Sequence, residues 1–299
     1  MNNPTESLDL DRAACDSAAS ANTIVPETAT RIACFYDPPS RGTWNMALDE
    51  VLLLQAAEGG PPTLRFYEWD QPTLSLGYFQ RYGDRALHQP SVGCPLVRRT
   101  TGGGAILHDH ELTYSCAMPS GHRLTRRAAD LYYAIHESIV SILAQMGLVA
   151  HLQSCDQDVV DFHANVPSDG CGATETALDS RFMSVPPEPF LCFQRRTAGD
   201  VIFNNQKIAG SAQRRCRGAV LQHGSILLAR SQYAPELPGI HELGCRHADS
   251  HDLALRLRAA LSDRLKLDFV PEFPSRETLN RAMAIETAKF AEKSWQQMR

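Results

Sequence analysis

From Gly199 to Leu228 the chain reads GDVIFNNQKIAGSAQRRCRGAVLQHGSILL, three strand-length runs close together. The Asn204-Asn205 pair is a tight-turn signal because asparagine tolerates positive φ, so the first two runs are expected to fold back on each other. GAVLQHGSILL supplies the next strand. Strands that arrive in hairpins, with few alternating helices, exclude a doubly wound parallel sheet and point to an α+β fold. Further strand-like runs agree: RIACFYD, PTLRFYEWD, PTLSLGYFQ, PLVRRT and AILHDHELTYSCAMP. Two longer stretches have helical spacing. TWNMALDEVLLLQAAEGG is expected to start at Thr43 and stop at Gly59-Gly60. TRRAADLYYAIHESIVSILAQMGL repeats Leu131, Ile135, Ile139, Ile142, Leu143 and Met146 on one face before Gly147.

Residues 1–30 are polar and rich in Ala, Ser and Thr, which predicts a disordered tail without a secretory signal. Residues 31–250 are expected to form the main domain, and residues 251–299 helices packed on it or appended to it. Between Cys155 and Pro189 the pattern dissolves into Asp, Ser, Gly and Pro, as in a long active-site loop or an insertion. A net charge of −5 gives no support to nucleic-acid binding, and no apolar run is long enough to span a membrane. Nine scattered cysteines without a CxxC pair fit reduced thiols in the cytoplasm. In HELGCRHADSH the residues His241, Cys245, His247 and His251 are read as a solvated loop, and no metal is expected.

Three segments carry chemistry. The first is Arg98-Arg99-Thr-Thr-Gly102-Gly103-Gly104-Ala105, followed by His108. A run of glycines bares the backbone, and beside two guanidinium groups it is expected to receive an anionic or strongly polar group. The second contains Cys192 and, fifteen positions on, Lys207, followed by Gly210, Ser211 and Ala212. The chain has only four lysines among 29 basic residues, and Lys207 is the first of them. An arginine-rich chain with one lysine there points to a group that titrates or serves as a compact cation. An ammonium next to a thiol favours the thiolate, so a Cys–Lys pair suits acyl transfer. The third is LQHGSILL, with His223 and Gly224 on a strand.

NMALDEVLL, PTLRFYEWDQPTLSLGYFQ, VRRTTGGGAILHDHELTYS, KIAGSAQRR and LQHGSILL, in this order, resemble the biotin/lipoate protein ligase family over roughly residues 31–230. The LipM-type octanoyltransferase branch is the most similar. The resemblance implies a mixed, largely antiparallel sheet flanked by helices, like class II aminoacyl-tRNA synthetases and biotin synthetases. It implies octanoyl transfer from acyl carrier protein through a cysteine to a lysine of a lipoyl-domain protein. That acceptor is the glycine cleavage H protein or a 2-oxoacid dehydrogenase E2. Cys192 is then the nucleophile and Lys207 its partner, which also accepts or relays a proton. Backbone N–H groups near Gly210-Ser211 hold the oxyanion, and Arg98, Arg99, Gly102 to Ala105, His108, Ala212, His223 and Gly224 bind substrate. The glycine loop lies along the octanoyl chain.

A thioester donor needs no ATP, so no cofactor is expected. The alternative is a lipoate-protein ligase that forms lipoyl-AMP from ATP with Mg. An amidotransferase between lipoyl domains and a non-catalytic scaffold are further alternatives. The sequence departs from the family pattern at Thr101, at Glu111 and in the Pro- and acid-rich approach to Cys192, which leaves Cys171 and Cys216 as substitutes. HRLTRRAAD and QRRCRG are expected to form a basic docking patch for an acidic carrier protein.

Overall fold

The structure, a computed structural model, describes residues 30–154 and 188–299. The N-terminal tail, most of the 155–189 loop and Cys171 lie outside the described residues. In chain order the strands are β1 (Thr30–Tyr36), β2 (Thr63–Tyr67), β3 (Thr73–Leu76), β4 (Leu96–Arg98), β5 (Ile106–His108), β6 (Glu111–Met118), β7 (His151–Leu152), β8 (Val201–Phe203), β9 (Gln206–Cys216), β10 (Ala219–Leu227) and β11 (Leu267–Pro271). The helices are α1 (Gly42–Ala57), α2 (Ala128–Gln145), α3 (Ile240–Leu243), α4 (Ser250–Leu265), α5 (Arg276–Ile285) and α6 (Lys293–Gln296).

Eight strands form one sheet in the order β11-β1-β2-β6-β10-β9-β8-β7. β1 pairs in parallel with β2 and β11, and the other pairings are antiparallel. A separate three-stranded sheet, β4-β3-β5, carries the glycine loop between β4 and β5. PTLSLGYFQ therefore does not extend the main sheet after β2; its strand crosses to the smaller one.

Every residue of β6 is buried because helices cover both faces of the sheet. Along β6 the even-numbered Leu112, Tyr114, Cys116 and Met118 share a core with Leu131, Ile135, Ile139 and Ile142 of α2 and Leu253, Leu257 and Leu261 of α4. On the other face, Ala117 and Leu221 pack with Leu48, Val51 and Leu52 of α1 and Ala282 of α5. The C-terminal segment thus supplies a helix to each face and an edge strand beside β1. α1 begins at Gly42, not with Thr43 as its cap; the Thr43 hydroxyl donates to Glu286 instead, at 2.5 Å. The Asn204-Asn205 turn forms as expected, with φ of +46° and +59°.

Candidate active site

Cys192 opens a single helical turn that lies against the glycine loop. The Ala105 N–H donates to the Phe190 carbonyl at 3.0 Å, and the Cys192 N–H donates to the Ala105 carbonyl at 2.7 Å. This two-bond clamp requires Gly104. A β-carbon there would stand 2.9 Å from Arg195 Nε and 3.1 Å from Cys192 Cα. The bare backbone at Gly104 is thus filled by the cysteine's own segment, while Gly102 and Gly103 line a cavity. Gly103 has φ +90°, a value that favours glycine.

Lys207 stands near the start of β9, just past the Asn-Asn turn. Its Nζ is 3.7 Å from Cys192 Sγ, 3.4 Å from the Cys192 carbonyl oxygen and 2.8 Å from Asp200 Oδ2. The Phe193 ring centroid lies 5.6 Å away, within cation–π range. Asp200 also accepts from the Thr197 N–H at 2.8 Å and the Thr197 hydroxyl at 3.0 Å. Burial opposes the charge of Lys207. The neighbouring cysteine sulfur and Asp200 outweigh it and hold the ammonium above the ordinary lysine range.

Beside Cys192 a narrow cavity opens between the main sheet, α1 and the glycine loop. Its floor is a row of directly opposed residues on four adjacent strands: Gly210 on β9, Ser225 on β10, Thr113 on β6 and Tyr67 on β2. At the usual interstrand spacing this row spans about 14 Å across the sheet. Cys192, Phe193 and Gly210 wall the cavity together with Met46 of α1 and Tyr67.

The floor's hydroxyls are tied up beneath it. Thr113 and Ser225 both donate to Glu111 Oε1, at 2.6 and 2.7 Å, and His108 Nδ1 donates to the same oxygen at 2.6 Å. Burial pushes the His108 imidazole below its ordinary range, although Glu111 opposes this. Neutral His108 then accepts from the Ser75 hydroxyl at 2.8 Å, and its ring stacks on Trp69 at 3.8 Å. Glu111 is therefore a buried collector of donors, which makes the slot above it apolar.

The sequence-predicted residues separate into groups. Cys192, Arg99, Gly102, Gly103, His108, Gly210, Ser211, Ala212, His223 and Gly224 all contribute to the cavity wall, and Lys207 touches Cys192. Gly104 and Ala105 hold the cysteine turn instead. His223 connects the floor to the loop, with Nδ1 3.1 Å from Asp49 Oδ2 and Nε2 2.7 Å from the Thr101 hydroxyl.

The two guanidinium groups are held chiefly by backbone carbonyls around the glycine loop, while the buried Arg99 Nε has no hydrogen-bond partner among the described residues. Arg98 donates to the carbonyls of Gly77, Gln80 and Gln296, and Arg99 to those of Ser75, Gly102 and Gly104, so both brace the loop. Ser211 joins the wall through its backbone only. Strand alternation turns its hydroxyl to the α2 face, where it meets Tyr114 and His136. His136 Nδ1 donates to the Gly199 carbonyl at 2.6 Å, which leaves Nε2 to accept from Ser211.

Cys216 lies at the far end of β9, opposite Ala219. In the candidate metal segment, His241 Nε2 donates to the Ala248 carbonyl, and the His251 ring packs at a tilt against Tyr36, 5.2 Å between centroids. Sequence reasoning missed Asp200, Met46, Tyr67, Thr113 and Ser225. Only Asp200 left a local signal, as a carboxylate preceding an apolar strand on the hairpin arm opposite Lys207.

The catalytic-domain model of lipoyl protein ligases A and B matches residues 41–234, which hold the glycine loop, Cys192, Lys207 and the whole floor of the cavity. The chain belongs to this family. Among curated relatives, it is 36% identical over 189 residues to octanoyltransferase LipM of Kyrpidia tusciae and 38% identical over 198 residues to that of Geobacillus kaustophilus. These alignments cover 62% and 64% of this chain but only 61% and 63% of those relatives. Octanoyltransferase LipM of Bacillus anthracis is 30% identical over 278 residues, covering 84% of this chain and 92% of the relative.

Solved structures of the family share the fold. Lipoate-protein ligase A bound with ATP superposes with a TM-score of 0.65 at 20% identity, over 90% of this chain and 98% of the other. A bipartite lipoate protein ligase from Thermoplasma acidophilum, described together with its E2 lipoyl domain, gives 0.63 at 18%, over 90% and 96%.

Proposed function

We propose that this family member is an octanoyltransferase. It takes an octanoyl group from acyl carrier protein onto Cys192 and passes it to a lysine of a lipoyl domain, on glycine cleavage H protein or a 2-oxoacid dehydrogenase E2. The carrying observation is the 3.7 Å approach of Lys207 Nζ to Cys192 Sγ at the edge of an apolar slot.

In the first half-reaction the Cys192 thiolate attacks the octanoyl carbonyl. The new C–S bond forms, the donor's C–S bond breaks, and the donor thiolate leaves and takes a proton from solvent. In the second, the acceptor amine attacks the Cys192 thioester. A C–N bond forms, Cys192 leaves as a thiolate, and the amine's proton replaces the one taken by the donor thiol. β8 pairs with β9 only as far as Ala209, so from Gly210 onward that edge of β9 has no strand partner among the described residues. This supports backbone N–H groups at Gly210-Ser211 as oxyanion donors.

A thioester is already activated, so the chemistry uses no ATP. Arg215 donates to the Thr125 carbonyl at 3.0 Å, which brings the two arginine-rich segments side by side and supports a joint docking patch for the acidic carrier. Among the described residues no helix is long and apolar enough to cross a membrane. We assign the enzyme to the cytoplasm, where its cysteines stay reduced.

The test is a nucleotide-free assay with octanoyl-carrier protein and a lipoyl domain. Turnover that disappears in Cys192→Ser supports the transferase. Activity that requires lipoate and ATP and survives Cys192→Ser makes the enzyme a ligase.

A further inference from the structure

Lys207 sits beside the nucleophile, but its surroundings restrict what it can do there. An ammonium has three N–H donors and no acceptor. Three acceptors surround this one: Asp200 Oδ2 at 2.8 Å, the Cys192 carbonyl at 3.4 Å and Cys192 Sγ at 3.7 Å. The Lys207 and Asp200 side chains are only 3% and 1% exposed. Asp200 is fixed in turn by the Thr197 N–H and hydroxyl and by the Tyr132 hydroxyl of α2 at 3.3 Å. Gly210 completes the seat, since a β-carbon there would fall 2.6 Å from Lys207 Cε.

A lysine that removes a proton from an incoming amine must first be neutral, with a lone pair facing the substrate. Deprotonation here would leave the Asp200 carboxylate buried without its counter-ion. We propose that Asp200 is a positioning residue that keeps Lys207 protonated throughout the cycle, so that Lys207 stabilises the Cys192 thiolate in both half-reactions and never carries the acceptor's proton. This rests on the transferase reading and replaces the proton relay expected of Lys207. The proton balance closes without Lys207. The acceptor amine releases one proton to solvent at the cavity mouth, and the departing donor thiolate has taken one up.

The other groups around the pair fit this division. Tyr132 is pushed far above its ordinary range by burial and by Asp200, and His136, pushed down to about 4 by burial, stays neutral. Neither competes for the lysine's proton at neutral pH.

The chain's four lysines make the test practical, because ¹³Cε-labelled lysine yields few signals. In the wild-type enzyme, free and octanoylated on Cys192, Lys207 is expected to keep an ammonium chemical shift through pH 9. In Asp200→Asn it is expected to become a neutral amine below pH 9. The Asn variant should octanoylate Cys192 from a small octanoyl thioester at least tenfold more slowly, with KM changed less than twofold, and Asp200→Glu should recover most of the rate.

A neutral Lys207 in the wild-type acyl-enzyme at pH 8 overturns the proposal, as does an Asp200→Asn variant with wild-type rate and ammonium signal. Should that variant fail to fold, the wild-type acyl-enzyme spectrum still decides. Lys207→Met separates the two levels: if it octanoylates Cys192 at the wild-type rate, the cysteine–lysine reading itself fails, whatever Asp200 does.

Discussion

The Lys207 side chain lies in the space beside Gly210 that any other residue there would need for its β-carbon; a β-carbon at that position would stand 2.6 Å from Lys207 Cε. Gly210→Ala should therefore displace the ammonium. A displacement of about 1 Å at a reacting centre costs on the order of 100-fold in rate. We expect Gly210→Ala to lose about that much in octanoylation of Cys192 and to have a lower thermal midpoint, through the disturbed Lys207–Asp200 pair, while staying folded at the assay temperature. Stopped-flow acylation and a melting curve check the two halves.

Stability should depend on pH through His136. Burial depresses its pKa from 6.5 to about 4, although the Gly199 carbonyl and Asp200 oppose the shift. The unfolded chain then binds the proton first, so stability is complete above pH 6.5 and is lost as pH falls from there towards about 4. The loss from this one residue reaches about 3 kcal/mol. His136→Gln should be about 1–2 kcal/mol less stable at pH 7.5, through imperfect hydrogen bonds to Gly199 and Ser211, but should show a flatter pH slope. Urea denaturation at pH 7.5 and 5 measures both.

Much of the site was legible in the sequence because its parts are local. The Asn-Asn turn, the strand carrying Lys207 and the pairing of a lone lysine with an upstream cysteine need only neighbouring residues and a resemblance. The cavity floor was not legible. Tyr67, Thr113, Gly210 and Ser225 come from four strands, and only their register unites them. The bracing role of Arg98 and Arg99 was not legible because carbonyls they hold, those of Gly77, Gln80, Gln296 and Ser75, lie far off in the sequence. The outward turn of the Ser211 hydroxyl was legible: with Gly210 and Ala212 facing the cavity, alternation turns its side chain away and leaves only its backbone in the wall.

Carrier docking should be separable from chemistry. Arg127 is exposed, and the neighbouring Thr125 is tied to Arg215 of the second arginine segment. Charge reversal at Arg126 and Arg127 should raise KM for octanoyl-carrier protein about tenfold, with a strong salt dependence lost, through weakened electrostatic steering. Turnover of a small octanoyl thioester should not change. Equal effects on both donors would place these arginines outside carrier recognition.

The most direct measurement is the mass of the intact protein after mixing with octanoyl-carrier protein in the absence of nucleotide and acceptor. The account predicts one added octanoyl group, on Cys192, absent in Cys192→Ser, formed slowly in Lys207→Met and discharged when a lipoyl domain is added. An unmodified wild-type protein that nonetheless transfers octanoate to the lipoyl domain, or that acts only with ATP, would contradict it.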